Sequence, residues 1–174
     1  SLVGSEMCIR DSYDTVLVIG AEKLSSIVDW KDRNTCVLFG DGAGAAVLQY
    51  RAESHGLLTS CMGADGRKAS LLSMPGGGSR HPATQQSLDD RLHFLRMDGK
   101  ETFKSAVTAM HRAAKKVMER CQIDITHIKC VIPHQANQRI MSAVADRLGA
   151  TEDQIFVNVD QFVLILLDLI LVVI

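Results

Sequence analysis

The sequence is short of aromatic residues and of excess charge of either sign. Aromatics make up 5% of its 174 residues and the formal net charge is -1. Nucleic-acid binding calls for a basic stripe, and this balance argues against it. Cysteine is present but unpatterned. No two of Cys8, Cys36, Cys61, Cys121 and Cys130 have C-x-x-C spacing, and no His/Cys cluster forms a zinc signature. No metal site is therefore expected. Cys36 and Cys130 fall in apolar runs and read as small buried residues of a reducing compartment. Residues 1–12 lack the apolar core of a secretory signal. The apolar run at 162–174 falls short of the ~20 residues that cross a bilayer, and Asp168 interrupts it. No membrane association is expected.

What is present suits an α/β protein: 47% hydrophobic residues and 13 glycines, in a length sufficient for one domain with a core. Residues 15–19 form a β-branched apolar run that reads as a buried strand ended by Gly20. Residues 21–28 read as short helix or irregular chain, 29–34 as a polar loop, 35–39 as a second strand and 45–49 as a third. Between the last two lies Gly-Asp-Gly-Ala-Gly, residues 40–44. It lacks the G-x-G-x-x-G spacing, and a strand rather than a helix follows it. It therefore reads as a tight turn and not a phosphate loop. Residues 53–96 are weakly patterned, as in a lid or connector, with a short strand at 57–62 and a loop at 74–79. His55, His81 and His93 have no ligand spacing and read as surface residues. A long helix follows, with Phe103, Ala106, Val107, Met110, Ala113, Ala114, Val117, Met118 and Cys121 on one stripe. Lys104, Arg112, Lys115 and Lys116 fall on its other, solvated faces.

The most informative stretch is Ile128 to Ile140. An apolar run to Ile132 reads as a strand, Pro133 ends it, and His134 follows. From Gln135 the period becomes helical, with Ala136, Ile140, Met141, Val144 and Leu148 on one face and Gly149 as the stop. A histidine where a strand's carboxyl end meets a helix's amino end lies where α/β sheets bind ligands. Its N–H can serve a developing oxyanion there. A last strand is expected at 154–159.

Pro133-His-Gln-Ala-Asn137 followed by Arg139-Ile140 resembles the histidine motif of β-ketoacyl-acyl-carrier-protein synthase III. Asp29-x-x-Asp-Arg33-x-Thr-x-x-x-Phe39-Gly-Asp-Gly-Ala-Gly-Ala45 and Met97-x-Gly99-x-Glu-x-Phe-Lys104 match the same family. The resemblance covers about residues 13–160. It implies an incomplete thiolase-like α/β fold. Residues 13–50 would end the first half and 51–160 would form most of the second. Residues 1–12 are set aside as a non-native leader, and 161–174 as an aberrant apolar tail expected from a reading-frame error or a truncated gene model. The implied activity is decarboxylating condensation of acyl-CoA with malonyl-acyl carrier protein, initiating fatty acid biosynthesis in a bacterial cytosol, or in a plastid for a plant or alga.

In that resemblance His134 is catalytic. Gln135, Ala136, Asn137, Gln138 and Arg139 form the carrier-protein-binding segment, with Lys104 near the docking surface. Arg33 stacks on the adenine of coenzyme A, Phe39 lines the acyl pocket, and Met97 and Gly99 line the pantetheine tunnel. Acyl-CoA is a substrate and no cofactor is implied. Acyl carrier protein and a second copy of the chain are the implied partners. The family's nucleophilic cysteine context and its Gly-Asn-Thr-Ser motif do not occur here, so the chain alone is expected to be inactive. Two alternatives stand beside this reading. One is a thiolase-fold polyketide starter synthase or acyltransferase. The other is a non-catalytic fragment that binds partners through exposed strand edges.

Overall fold

The computed structural model describes residues 13–50 and 56–160, and the backbone of 171–173. It opens with a long antiparallel hairpin. Strand β1 (Thr15–Lys23) pairs with β2 (Asp41–Gln49) in unbroken register, from Thr15 opposite Gln49 to Lys23 opposite Asp41. The expected stop at Gly20 and the expected turn over 40–44 do not occur. Gly20 lies opposite Gly44, and Ala21 opposite Ala43. Small residues on both strands let the ladder continue, because each backbone group finds its partner across the hairpin.

Residues 35–38 are not the expected strand but a series of turns, and Phe39 is an isolated bridge residue. Asp32 is the cause. Its carbonyl accepts the Cys36 N–H at 2.9 Å, and its carboxylate accepts the Asn34 N–H at 3.0 Å and the Thr35 hydroxyl at 3.2 Å. Such local side-chain bonds compete with a sheet ladder. Cys36 is half-buried in a turn, not in a strand. The turn's apolar residues still serve a core: Val28, Phe39 and Leu95 are buried together, with Leu24, Ile27, Leu38, Leu72 and Met97 against them.

Residues 57–65 are irregular, without the expected strand. Asp65 caps the 3-10 helix Gly66–Leu71 by accepting the Arg67 N–H. Strand β3 (Leu72–Ser73) pairs antiparallel with β4 (Arg96–Met97). Between them helix α1 (Gln85–Asp89) begins in a capping box of Thr84 and Ser87. Gly76 is required here. A Cβ on it would lie 2.8 Å from that of Leu92, whose carbonyl accepts the Gly76 N–H. The Arg91 guanidinium ties this connector to the hairpin end, donating to both carboxylate oxygens of Asp29, with Nε to Oδ2 at 2.9 Å.

Helix α2 (Gly99–Cys121) is capped by Asp98, which accepts the Glu101 N–H, and ends in the left-handed Gln122. Strand β5 (Cys130–Ile132) pairs antiparallel with β6 (Leu171–Val173) and makes a parallel bridge from Val131 to Ile155. That bridge is all that appears of the strand expected over 154–159; a 3-10 turn (Glu152–Gln154) precedes it. Helix α3 (Gln138–Leu148) ends at Gly149, φ 69°. It packs on α2 through Val107, Ile140 and Val144, flanked by Phe103, Ala106, Met110, Ala143 and Leu148. No described helix is long and apolar enough to cross a membrane.

Met141 has no exposed surface. Met141→Ala should cost about 2–5 kcal/mol in urea unfolding, whereas Leu17→Ala, at an exposed strand position, should stay within about 0.5 kcal/mol. The Arg91 guanidinium holds the Asp29 carboxyl below its ordinary 3.8, with help from the Lys31 N–H. A depressed carboxyl stabilises the fold fully above the unfolded value and loses that contribution as pH falls through the folded one. The Asp29 contribution should therefore be whole above pH 3.8 and fade below it. Acid-titrated unfolding of Asp29→Asn should show a shallower loss over that range.

Candidate functional site

The site begins where β5 runs out. Pro133 is buried and has no N–H to extend the ladder, so the chain turns. His134 is half-buried in that turn, and its carbonyl accepts the Ala136 N–H at 2.8 Å. The helix begins three residues later than its periodicity suggests. Asn137 is extended, not helical, and its side chain accepts the Ile140 N–H at 3.0 Å. An asparagine side chain that can satisfy an orphan amide makes a better cap than a first helical residue. Residues 135–137 thus form a short loop between His134 and α3.

The five residues 135–139 divide by environment. The Gln135 amide is engaged with backbone groups of Pro133, Phe156 and Asn158. Ala136 packs on the α2–α3 seam, and Asn137 is the cap. Gln138 and Arg139 are exposed. The Arg139 guanidinium lies 5.7 Å from the centre of the Phe103 ring, within range of a cation–π attraction.

His134 faces an open cleft of about 2170 Å³ between the hairpin, the 3-10 helix Gly66–Leu71, α2 and the start of α3. Ligand pockets usually enclose ~300–1,000 Å³, so this cleft is wider than one small ligand would fill. Phe39, Met97, Gly99, Lys104 and Arg139 border it together with His134. These residues come from distant parts of the sequence and meet only in the fold. Ala136, Asn137 and Gln138 also border it, whereas Gln135 and Arg33 do not. Arg33 lies exposed on the loop after the hairpin's first strand, as does Trp30.

The cleft is basic along one wall. Arg112 and Lys116, assigned above to a solvated face, line it beside Lys104. Their spacing in multiples of four places them on one row inclined to the helix axis. That spacing was visible in the sequence, but the direction of the row was not. Lys68, from the 3-10 helix Gly66–Leu71, donates to the Ser105 hydroxyl of α2 at 2.9 Å. Such a wall raises the local concentration of anions. Lys104 is partly offset by Glu101, 2.7 Å away.

Other expectations are amended by the fold. His93 is half-buried rather than on the surface. Its ring centre is 4.3 Å from that of Phe94, and its Nδ1 is buried with no hydrogen-bond partner among the described residues. His81 is exposed, and His55 lies outside the described residues. Cys36, Cys61, Cys121 and Cys130 are free and half-buried. Arg91, which fastens the connector to Asp29, carried no sequence signal because the two are 62 residues apart.

Comparison with known proteins accounts for this arrangement. Residues 2–66 match the family model for 3-oxoacyl-[acyl-carrier-protein] synthase III, and residues 118–163 match that for the C-terminal part of the same enzyme. A β-ketoacyl-[acyl-carrier-protein] synthase III from Caldanaerobacter subterraneus subsp. tengcongensis is 51% identical over 150 residues, which is 86% of this chain and 45% of that protein. The crystal structure of 3-oxoacyl-[acyl-carrier-protein] synthase III from Aquifex aeolicus VF5 superposes with a TM-score of 0.79 at 38% identity, over 93% of this chain and 48% of the other. A synthase III from Thermus thermophilus gives 0.80 at 35%, over 92% and 49%. The chain spans about half the length of these relatives. In sequence and in its incomplete thiolase-like α/β fold, the chain belongs to the 3-oxoacyl-[acyl-carrier-protein] synthase III family.

Proposed function

We propose that the intact protein carrying this sequence condenses a short acyl group from acyl-CoA with malonyl-acyl carrier protein, releasing carbon dioxide and starting a fatty acid chain in a bacterial cytosol. The observation that carries the reading is that His134 lines one cleft with apolar and small residues (Phe39, Met97, Gly99) and with cationic ones (Lys104, Arg139). Apolar lining suits an acyl chain and a pantetheine arm. Basic lining suits the phosphates of coenzyme A and an acidic carrier protein. Arg33, exposed on the loop between the hairpin strands, is the proposed contact for the adenine.

In this reading a cysteine thiolate attacks the acyl-CoA carbonyl, and the coenzyme A thiolate leaves. The enzyme then holds a thioester, which splits one hard condensation into two easier steps. The malonyl thioester next loses carbon dioxide, and the electron pair of the broken carbon–carbon bond moves into an enolate. His134 donates a hydrogen bond to the enolate oxygen, with an asparagine as the second donor. The enolate carbon attacks the acyl-enzyme carbonyl, forming the new carbon–carbon bond and expelling the cysteine thiolate. Neither the cysteine nor the asparagine belongs to the family strings found in this chain. Of the segment 135–139, Gln138 and Arg139 are the residues with surface free to meet a carrier protein, and Lys104 adds to them. A homodimer is expected, as is no resident cofactor.

A second reading has its own observation. Leu17, Ile19 and Val47 of the hairpin are more than half exposed, a face that favours association. The 174-residue chain tested by itself should elute in size-exclusion chromatography above its 19.0 kDa, and a clean monomer would count against association.

For the enzymatic reading, His134→Ala in the intact protein should lower condensation by ~10²–10³-fold while acylation by labelled acyl-CoA survives. Wild-type condensation in that variant would remove His134 from the mechanism. Arg139→Glu should raise KM for malonyl-acyl carrier protein with little change toward acyl-CoA, and the effect should shrink at high salt.

A further inference from the structure

Two segments meet behind His134: the turn 133–136 and the stretch 156–158. The Phe156 N–H donates to the Val131 carbonyl at 2.9 Å, continuing the bridge between Val131 and Ile155. Pro133 then interrupts the ladder, because it has no N–H to donate. Past that point the Gln135 side chain takes over. Its Nε2 donates to the Pro133 carbonyl at 2.9 Å and to the Phe156 carbonyl at 3.0 Å, and its Oε1 accepts the Asn158 N–H at 2.9 Å. A primary amide has two donors and one carbonyl oxygen. Here both donors and the oxygen are bonded to backbone groups.

The geometry points to Gln135 as a positioning residue for His134: its amide acts as a surrogate peptide group that replaces the ladder bonds Pro133 cannot make. The inference rests on the reading of His134 as the enolate's hydrogen-bond donor. It moves Gln135 out of the docking segment, since an amide bonded three ways within the chain has little left for a carrier protein. No other side chain of similar size meets the same demands. Glutamate would face two carbonyls with a carboxylate, asparagine is one methylene shorter, and methionine fills the space without bonding. A donor that must meet an oxyanion has to be held within about 0.5 Å of its working position. The staple holds the histidine turn in register with the stretch that runs on to Asp160.

The test is NMR on the full 174-residue chain, with Gln135→Ala, Gln135→Met and Gln135→Glu beside it. In the parent, the Gln135 side-chain NH₂ should exchange more slowly than that of the exposed Gln138 and show NOEs to Phe156 and Asn158. In Gln135→Ala and Gln135→Met, the Asn158 amide should exchange about fivefold faster or more. The His134 ring cross-peaks should move, while the Ile140 and Val144 amides stay protected. Gln135→Glu should behave like Gln135→Ala. If Gln135 only fills space, Gln135→Met restores the parent spectrum, and the proposal is overturned. It is equally overturned if the His134 ring signals are unchanged in Gln135→Ala. Should the variants fail to fold, the parent's Gln135 NH₂ decides: exchange as fast as that of Gln138 sinks the idea. These readouts contain no turnover, so they stand apart from the condensation assay. An inactive intact enzyme would leave them unchanged, and a mobile Gln135 would leave the condensation reading intact.

Discussion

The seam between the two long helices is the constraint on which the site depends. Val107 of one helix is buried against Ile140 and Val144 of the other, with Phe103 and Ala136 at the end nearest the histidine. Each of these residues removes apolar surface from water, at roughly 25 cal/mol per Å². The gain fixes where α3 begins, and therefore where the preceding turn lies. Ala136 belongs to both the seam and the histidine loop, so packing and site geometry are set by the same contacts. The cap at Asn137 then gives the helix a defined start, and His134 falls three residues before that cap.

A second set of contacts shapes the other wall of the cleft. Phe39 is buried with Val28 and Leu95, and Met97 packs against that cluster. The Asp29–Arg91 ion pair and the Leu95 N–H bond to the Ile27 carbonyl tie the connector to the hairpin end. Residues far apart in sequence are thereby held at one opening. Along it runs the basic row of α2, whose charges stay exposed, while Val107 of the same helix's apolar stripe is buried against α3 and Phe103, Ala106 and Met110 both flank that seam and border the cleft. One helix therefore supplies both a core face and an electrostatic wall, because side chains at i, i+3 and i+4 share a face and its apolar and basic faces point different ways.

Loop chemistry decides the details that set this architecture. Asp32 turns an apolar, β-branched run into a compact turn by accepting backbone and hydroxyl hydrogens. Gln135 carries backbone pairing past a proline. In both cases a polar side chain stands in for a backbone partner. The cost of leaving a buried amide or carbonyl unbonded makes such substitutes worth holding in place.

The sequence by itself determined the family strings, the helical stripe from Phe103 to Cys121, the stop at Gly149 and the strand–proline–histidine order. These are local: period, capping chemistry and the missing proline N–H act within a few residues. Only the tertiary structure decided that residues 41–44 pair as strand, since that depended on small residues facing them across the hairpin. It also decided that residues 35–38 turn, that α3 starts at Gln138, and that Arg112 and Lys116 border the cleft. The joining of Phe39, Met97 and His134 at one opening belongs to the same class. Such outcomes rest on which distant partner satisfies a hydrogen bond or covers a side chain. No single stretch of sequence contains both members of that pair.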